Sequence, residues 1–356
     1  MTSRRTGLIT ALVLTAALFL AMPGLVRTLL LSDAGRAHES LRPQRMRTLT
    51  VWLLGSETGD RALIARAAAA YEKAHSGVRI FLRVVSAEEF TAPDAVLPDV
   101  ALYETGSLNI PEKVFVPLAE QGDSSGMLAG VSYAIPLWLS PNVLTLPASW
   151  LSGAQVPAPK ADSLLAASTP EPAQEDLSVL SPEALPWKRL VQPGAIAPTE
   201  GTALMQLLSL CPYPLRKAFT NAAAIEAAPD CARVETLQSH LAAVKNGEAV
   251  AGCVLSPAVS DRVRYVSLCR ESKEAQAFVQ FLRTQTAQDA LASSLIPLTD
   301  QALSCPEALS HQALLLFQRS HTLPNAFAHT RGELLSLCRD AFLRCADPVE
   351  TLLRLR

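Results

Sequence analysis

The sequence predicts an α/β protein carrying an N-terminal transmembrane helix. Three observations point there. Residues 6–26 hold no charged side chain and follow Arg4 and Arg5; about 20 apolar residues span a bilayer as a helix. Short strand-like runs at residues 49–54, 78–85 and 100–103 flank a helical pattern, the order of a βαβ unit in a mostly parallel sheet. Helical apolar spacing returns around residues 273–292 and again at 307–319 and 331–342.

The leading run ends near Pro23 and Gly24 without a clear small-x-small cleavage pair, and no cysteine precedes Cys211. An uncleaved signal anchor over residues 1–32 is therefore favoured over a cleaved peptide, and a lipid-bearing cysteine is excluded. Residues 33–47 are polar and rich in arginine and read as a stalk. Counting arginines on either side of the span would place the following domain in the cytoplasm.

Residues 49–54 (LTVWLL) are a continuous apolar run, as expected for a strand covered on both faces. Gly55 to Gly59 make a turn, and Asp60 is a suitable N-cap. Leu63, Ala67, Ala70, Tyr71 and Ala74 form one helical face, with Gly77 placed as a C-terminal cap. Residues 78–85 and 100–103 supply two further strands, and residues 133–146 read as extended but twice interrupted by proline. Eight prolines between residues 157 and 198 exclude long regular elements there. Ala275, Phe278, Val279 and Leu282 then recur at helical spacing, residues 307–319 and 331–342 give two more helices, and a short one follows Asp347.

With 356 residues, 49% hydrophobic and 18% charged, the chain can bury real cores, which excludes wholesale disorder. The net charge is −2 with no basic domain or stripe, so no nucleic-acid partner is expected. Seven cysteines include no C-x-x-C pair, which removes zinc ribbons and thioredoxin-type chemistry. Cys338 and Cys345 stand about 10 Å apart along a helix, too far to bridge. A Cys211–Cys231 disulfide and buried free thiols both remain compatible with the sequence. The six histidines offer no H-E-x-x-H motif, and both G-x-G-x-x-G and the P-loop pattern are absent. No metal and no cofactor are expected. Residues 122–126 (GDSSG) match the nucleophile elbow of hydrolases, which needs a strand before the serine and a helix after it; Ser124 lies in a loop-like stretch instead. The chain is expected not to be an enzyme.

Six segments, in order, resemble the extracellular solute-binding proteins of ABC transporters, in particular the carbohydrate-binding group related to maltose-binding protein. They are residues 48–80, 97–104 (LPDVALYE), 133–146 (YAIPLWLSPNVLTL), 245–257 (KNGEAVAGCVLSP), 274–302 and 323–342. The resemblance implies a two-lobe fold of the periplasmic-binding-protein type II, with lobe 1 in residues 48–145 plus 259–298 and lobe 2 in residues 146–258 plus 299–356. It implies a sugar or oligosaccharide held between the lobes, closure by a hinge, ABC permease subunits as partners, and a domain outside the cell on a single-pass anchor. Carried over residue by residue, it places Ser56, Glu57, Tyr103 and Glu104 at the cleft and Trp138, Ser140 and Asn142 on the segment crossing between lobes. Trp138 then serves either as hinge packing or as a platform for a sugar ring. Ser256 falls where the family carries an aromatic residue.

The sequence also departs from the family. Ser256-Pro257-Ala258 removes the expected stacking ring, and the second lobe is short and proline-rich. That shortening motivates an alternative: a membrane-anchored sensor or interaction domain that no longer transports.

Overall fold

A computed structural model describes residues 46–55, 58–118, 124–151, 179–223, 230–255, 261–298, 308–319 and 323–354. The apolar run at residues 6–26 and the stalk lie outside them. Among the described residues no helix is long and apolar enough to cross a membrane. Residues 46–48 and 76–79 belong to a separate small unit, tied by a hydrogen bond from the Arg47 amide to the Gly77 carbonyl at 2.9 Å. The remaining described residues form one larger unit.

The chain opens with β1 (Arg47–Leu54), α1 (Thr58–Ala74), β2 (Val78–Val85), a short α2 (Ala87–Thr91) and β3 (Val100–Glu104). Helix α1 starts at Thr58, so Asp60 lies inside its first turn and is not the cap. Its buried face is Leu63, Ile64, Ala67, Ala68 and Tyr71, whereas Ala70 and Ala74 face solvent. Short elements follow: α3 (Pro111–Val114), a 3-10 turn (Ser124–Gly126), β4 (Met127–Leu128) and β5 (Val131–Ser132). The extended stretch divides into β6 (Ile135–Leu139) and β7 (Asn142–Pro147), with Ser140-Pro141 between them.

Two principal sheets result. The six-stranded one has the order β11-β6-β10-β3-β1-β2, where β10 is Val263–Leu268 and β11 is Ile296–Pro297. Strands β1 and β3 pair in parallel, with Val51 opposite Val100. Strand β10 runs antiparallel to both β3 and β6, and β11 antiparallel to β6. The sheet is thus mixed, not mostly parallel, because β10 enters it from the other sheet. Asp99, just before β3, fixes the register against β1: its carboxylate accepts from both the amide and the hydroxyl of Thr50 at 2.7 Å.

The second sheet has three strands among the described residues, β8-β7-β9, all antiparallel, with β8 at Arg233–Thr236 and β9 at Val250–Val254. Its helices are α4 (Trp187–Leu190), α5 (Thr202–Leu210), α6 (Arg216–Ala222) and α7 (Leu237–Lys245). The C-terminal half adds α8 (Lys273–Gln285), α9 (Ala287–Ala292), α10 (Ala308–Arg319), α11 (Arg331–Leu343) and α12 (Pro348–Leu353).

Each sheet carries its own apolar core. Leu144 and Leu146 of β7 join Met205, Leu208, Phe219, Leu334, Cys338 and Phe342 beneath α5, α6 and α11. On the other side of β7, Val143 packs with Val254, Leu237, Leu309 and Ala313 into the core of the larger sheet. This follows from the two-residue period of a strand, which sends neighbouring side chains to opposite faces. Helices α1 and α8 cover the larger sheet, with Tyr71 edge-on to Phe278 and Phe281 at 5.2 Å. Among the cysteines described, Cys211 and Cys231 are both free thiols; burial pushes the Cys211 thiol up to about 11.

Candidate functional site

Two stretches carry the chain from one sheet to the other, and they run side by side. Ser140-Pro141 leads from β6 to β7; on the return side the described residues are Leu255, after β9, and Asp261 and Arg262, before β10. The Ser140 amide donates to the Arg262 carbonyl at 3.0 Å, and the Leu255 amide to the Asn142 carbonyl at 2.9 Å. Pro141 cannot extend a ladder, so the strand breaks here and the direction changes. Polar groups at the head of β7 and of β10 are thereby brought to one place, beside the N-terminus of α5 and the start of α11.

A cavity of about 280 Å³ lies at this junction. Asn142 lines it from β7, Asp261 and Arg262 from the return crossing, Thr199 and Glu200 from the approach to α5, and Arg331 from α11. Among the described residues its lining holds no aromatic ring, histidine, cysteine or serine. Asn142 is almost wholly buried and donates from Nδ2 to Gln206 Oε1 at 2.8 Å. Asp261 accepts from the Thr202 hydroxyl at 2.8 Å, and its amide donates back to that oxygen at 3.1 Å. Gly201, the residue before α5, has φ +65°, a conformation that favours glycine; a Cβ there would stand 2.6 Å from Asp261 Oδ2.

Behind the cavity lies a charged relay. Arg264 on β10 is 2% exposed and donates to Glu104 Oε1 at 3.0 Å and to the Leu54 carbonyl at 3.2 Å. One guanidinium thus holds the ends of both β1 and β3. The second oxygen of Glu104 meets Arg331 Nη1 at 3.5 Å, and the Arg331 amide donates to the Gly106 carbonyl at 2.8 Å. Helix α11 begins there because Thr330 and Glu333 form a reciprocal capping box: the Glu333 amide donates to Thr330 Oγ1 and the Thr330 amide to Glu333 Oε2. Arg331 is therefore held from the backbone and from its side chain.

Of the eight residues expected at the site, Asn142 lines this cavity. Glu104 reaches it through Arg331, and Ser140 sits one step behind at the crossing. Tyr103 is wholly buried: its hydroxyl is 2.6 Å from Ser267 Oγ, and its ring stacks on Phe115 at 5.3 Å. Burial holds its phenol well above the usual range. Trp138 is 2% exposed in the middle of β6, opposite Arg264 and Pro297. Ser56, Glu57 and Ser256 lie outside the described residues.

The sequence reading missed Thr199, Glu200, Asp261, Arg262, Arg264 and Arg331. Two signals were available. Arg331 follows a capping-box threonine, and Arg264 sits near the head of a largely apolar strand, where a buried cation needs a partner. Ser124 opens the 3-10 turn that leads into the two-residue β4, so the helix that a nucleophile elbow needs after its serine does not follow. Among the described residues no group of three or more metal-ligating side chains converges.

No family model matches the chain, and no curated protein matches it. Solved structures do. The GacH receptor of Streptomyces glaucescens, solved unliganded and with acarbose, superposes with a TM-score of 0.51 at 14% identity, covering 86% of this chain and 96% of its own. The galacto-N-biose-/lacto-N-biose I-binding protein of the ABC transporter from Bifidobacterium longum, solved with lacto-N-biose, gives 0.52 at 10% identity, covering 87% and 94%. Both neighbours are binding proteins of the maltose-binding-protein-like kind that the sequence resembles. At these identities the likeness is one of fold: the chain has the two-lobe α/β architecture of solute-binding proteins.

Proposed function

We propose that this chain binds a carbohydrate between its two sheets, outside the cell, as the solute-binding component of an ABC-type importer. The observation that carries the reading is the cavity at the paired crossings. It is bordered by amide, carboxylate and guanidinium groups from both sides of the junction. Such groups suit a polyhydroxylated solute, whose hydroxyls both donate and accept. In open α/β sheets, crevices at strand ends are the usual ligand sites. Two adjacent crossings form a natural hinge, because rotating one sheet against the other needs dihedral changes in only a few residues. The closed form is what ABC permease subunits would recognise, and an N-terminal single-pass anchor would keep the protein beside them.

Thermal unfolding of the purified full-length chain against a panel of mono- and oligosaccharides tests the reading. A sugar at a hundred times its Kd stabilises by about 2.7 kcal/mol; a flat panel would remove carbohydrate as the ligand class. The short, proline-rich second lobe of the sequence favours one other role for the same site, that of a sensor that does not transport. Deleting the gene separates the two: loss of sugar uptake supports import, and intact uptake with a lost transcriptional response supports sensing.

A further inference from the structure

The cavity at the crossings adjoins a larger groove of about 590 Å³, and the two share Pro198, Thr199, Glu200 and Leu335 in their walls. Their chemistry differs. Polar and charged side chains dominate the cavity, whereas Leu204, Ala223, Leu335, Phe342 and Leu343 give the groove an apolar floor, rimmed by Ser336 and Arg339. Leu335, Arg339, Phe342 and Leu343 fall on one face of α11 at helical spacing, and Leu343 is half exposed to solvent. Gly201, in the wall of the groove, packs closely on both spaces: a Cβ there would stand 2.6 Å from Asp261, which lines the cavity, and 3.2 Å from Leu335, which lines both.

Size points the same way. The cavity alone, about 280 Å³, falls just below the roughly 300–1,000 Å³ typical of small-molecule sites, and the two spaces together fall inside it. We infer that the site takes an amphipathic glycoside, its sugar in the cavity at the crossings and an apolar aglycone along α11. This rests on the reading of the cavity as a sugar site and adds the second half of the ligand. The groove contributes affinity by removing the aglycone from water, while hydrogen bonds in the cavity select the sugar.

Calorimetric titration of the full-length chain with methyl and n-butyl β-glycosides of glucose, galactose, mannose and xylose tests it. Each methylene buried from water is worth about fourfold in affinity. For whichever sugar binds, the butyl glycoside is expected to bind about sixteenfold more tightly than the methyl glycoside, the effect of burying about two methylenes. Ser336→Trp, at an exposed position of α11, is expected to fill the groove and cancel that gain while leaving methyl-glycoside affinity unchanged. Leu343→Glu should cut the gain in the same way. Equal affinity for methyl and butyl glycosides overturns the inference and leaves the sugar site standing. A disaccharide that gains affinity where the butyl glycoside does not makes the groove a second sugar subsite and also overturns it. A panel in which nothing binds removes the sugar reading and this inference together.

Discussion

Arg264 is the residue on which most of the site's geometry converges. Its guanidinium is buried, and it satisfies both Glu104 and the carbonyl that ends β1. Removing one partner of a buried pair leaves the other charge uncompensated, so Arg264→Leu should destabilise the protein by about 3–5 kcal/mol in urea unfolding. Arg331, exposed and 3.5 Å from Glu104, should behave differently: Arg331→Ala is expected to cost less than about 1 kcal/mol while weakening ligand binding. A second charged group sets a pH dependence. Burial raises the Glu235 carboxyl, but hydrogen bonds from His240 and Thr145 and the Arg233 charge more than offset this and leave it below its ordinary 4.5. A depressed carboxyl contributes stability that is complete above the unfolded value and lost as pH falls through the folded one. Glu235→Gln should therefore flatten the acid limb of a stability-against-pH curve; an unchanged limb would assign acid sensitivity to other groups. At this scale the sequence was a weak guide. Asn142 entered only through the resemblance of its segment to a family, and nothing local distinguishes Asp261 or Thr199 from surface residues, because the contact that joins Asp261 to Thr202 spans 59 positions.

Elements were far more legible, since they follow from local periodicity and punctuation. The strand at residues 78–85 was expected with its observed bounds, and the helix from Lys273 shows the predicted buried set of Ala275, Phe278, Val279 and Leu282. The misses have physical causes. In α1 the apolar stripe turned out to run through Ile64 and Ala68, not Ala70 and Ala74, because alanine is small enough to sit on either face. The direction of β10 could not be read at all, since it depends on where the return crossing enters the sheet. Two substitutions test the element-level account. Trp138→Ala, at a fully packed position in β6, should cost about 3–5 kcal/mol, read as a lower urea midpoint. Thr330→Ala removes one half of the capping box of α11 and should cost about 1 kcal/mol. If that helix also orients Arg331, Thr330→Ala should weaken sugar binding more than its stability cost explains.

Within the larger unit the described residues form two cores that meet at the crossings between the sheets and at helix α11, with the polar cavity placed there. Helix α11 connects both parts. Its first residue reaches Glu104 and Gly106 beside the larger sheet, and its buried face lies in the core of the smaller one. A solute touching Asn142, Arg262 and Arg331 would therefore bridge the two parts, and would favour whichever arrangement of them it contacts better. The architecture was legible because the order of several weak motifs is itself a strong constraint, whereas the site had to wait for the tertiary contacts. The most direct test of the central claim is calorimetric titration of the sugar found by thermal screening into the wild type and Arg262→Ala. Affinity at least about tenfold weaker in the variant, with an unaltered unliganded melting temperature, is the predicted result; equal affinity in the two proteins would contradict a binding site at the crossings.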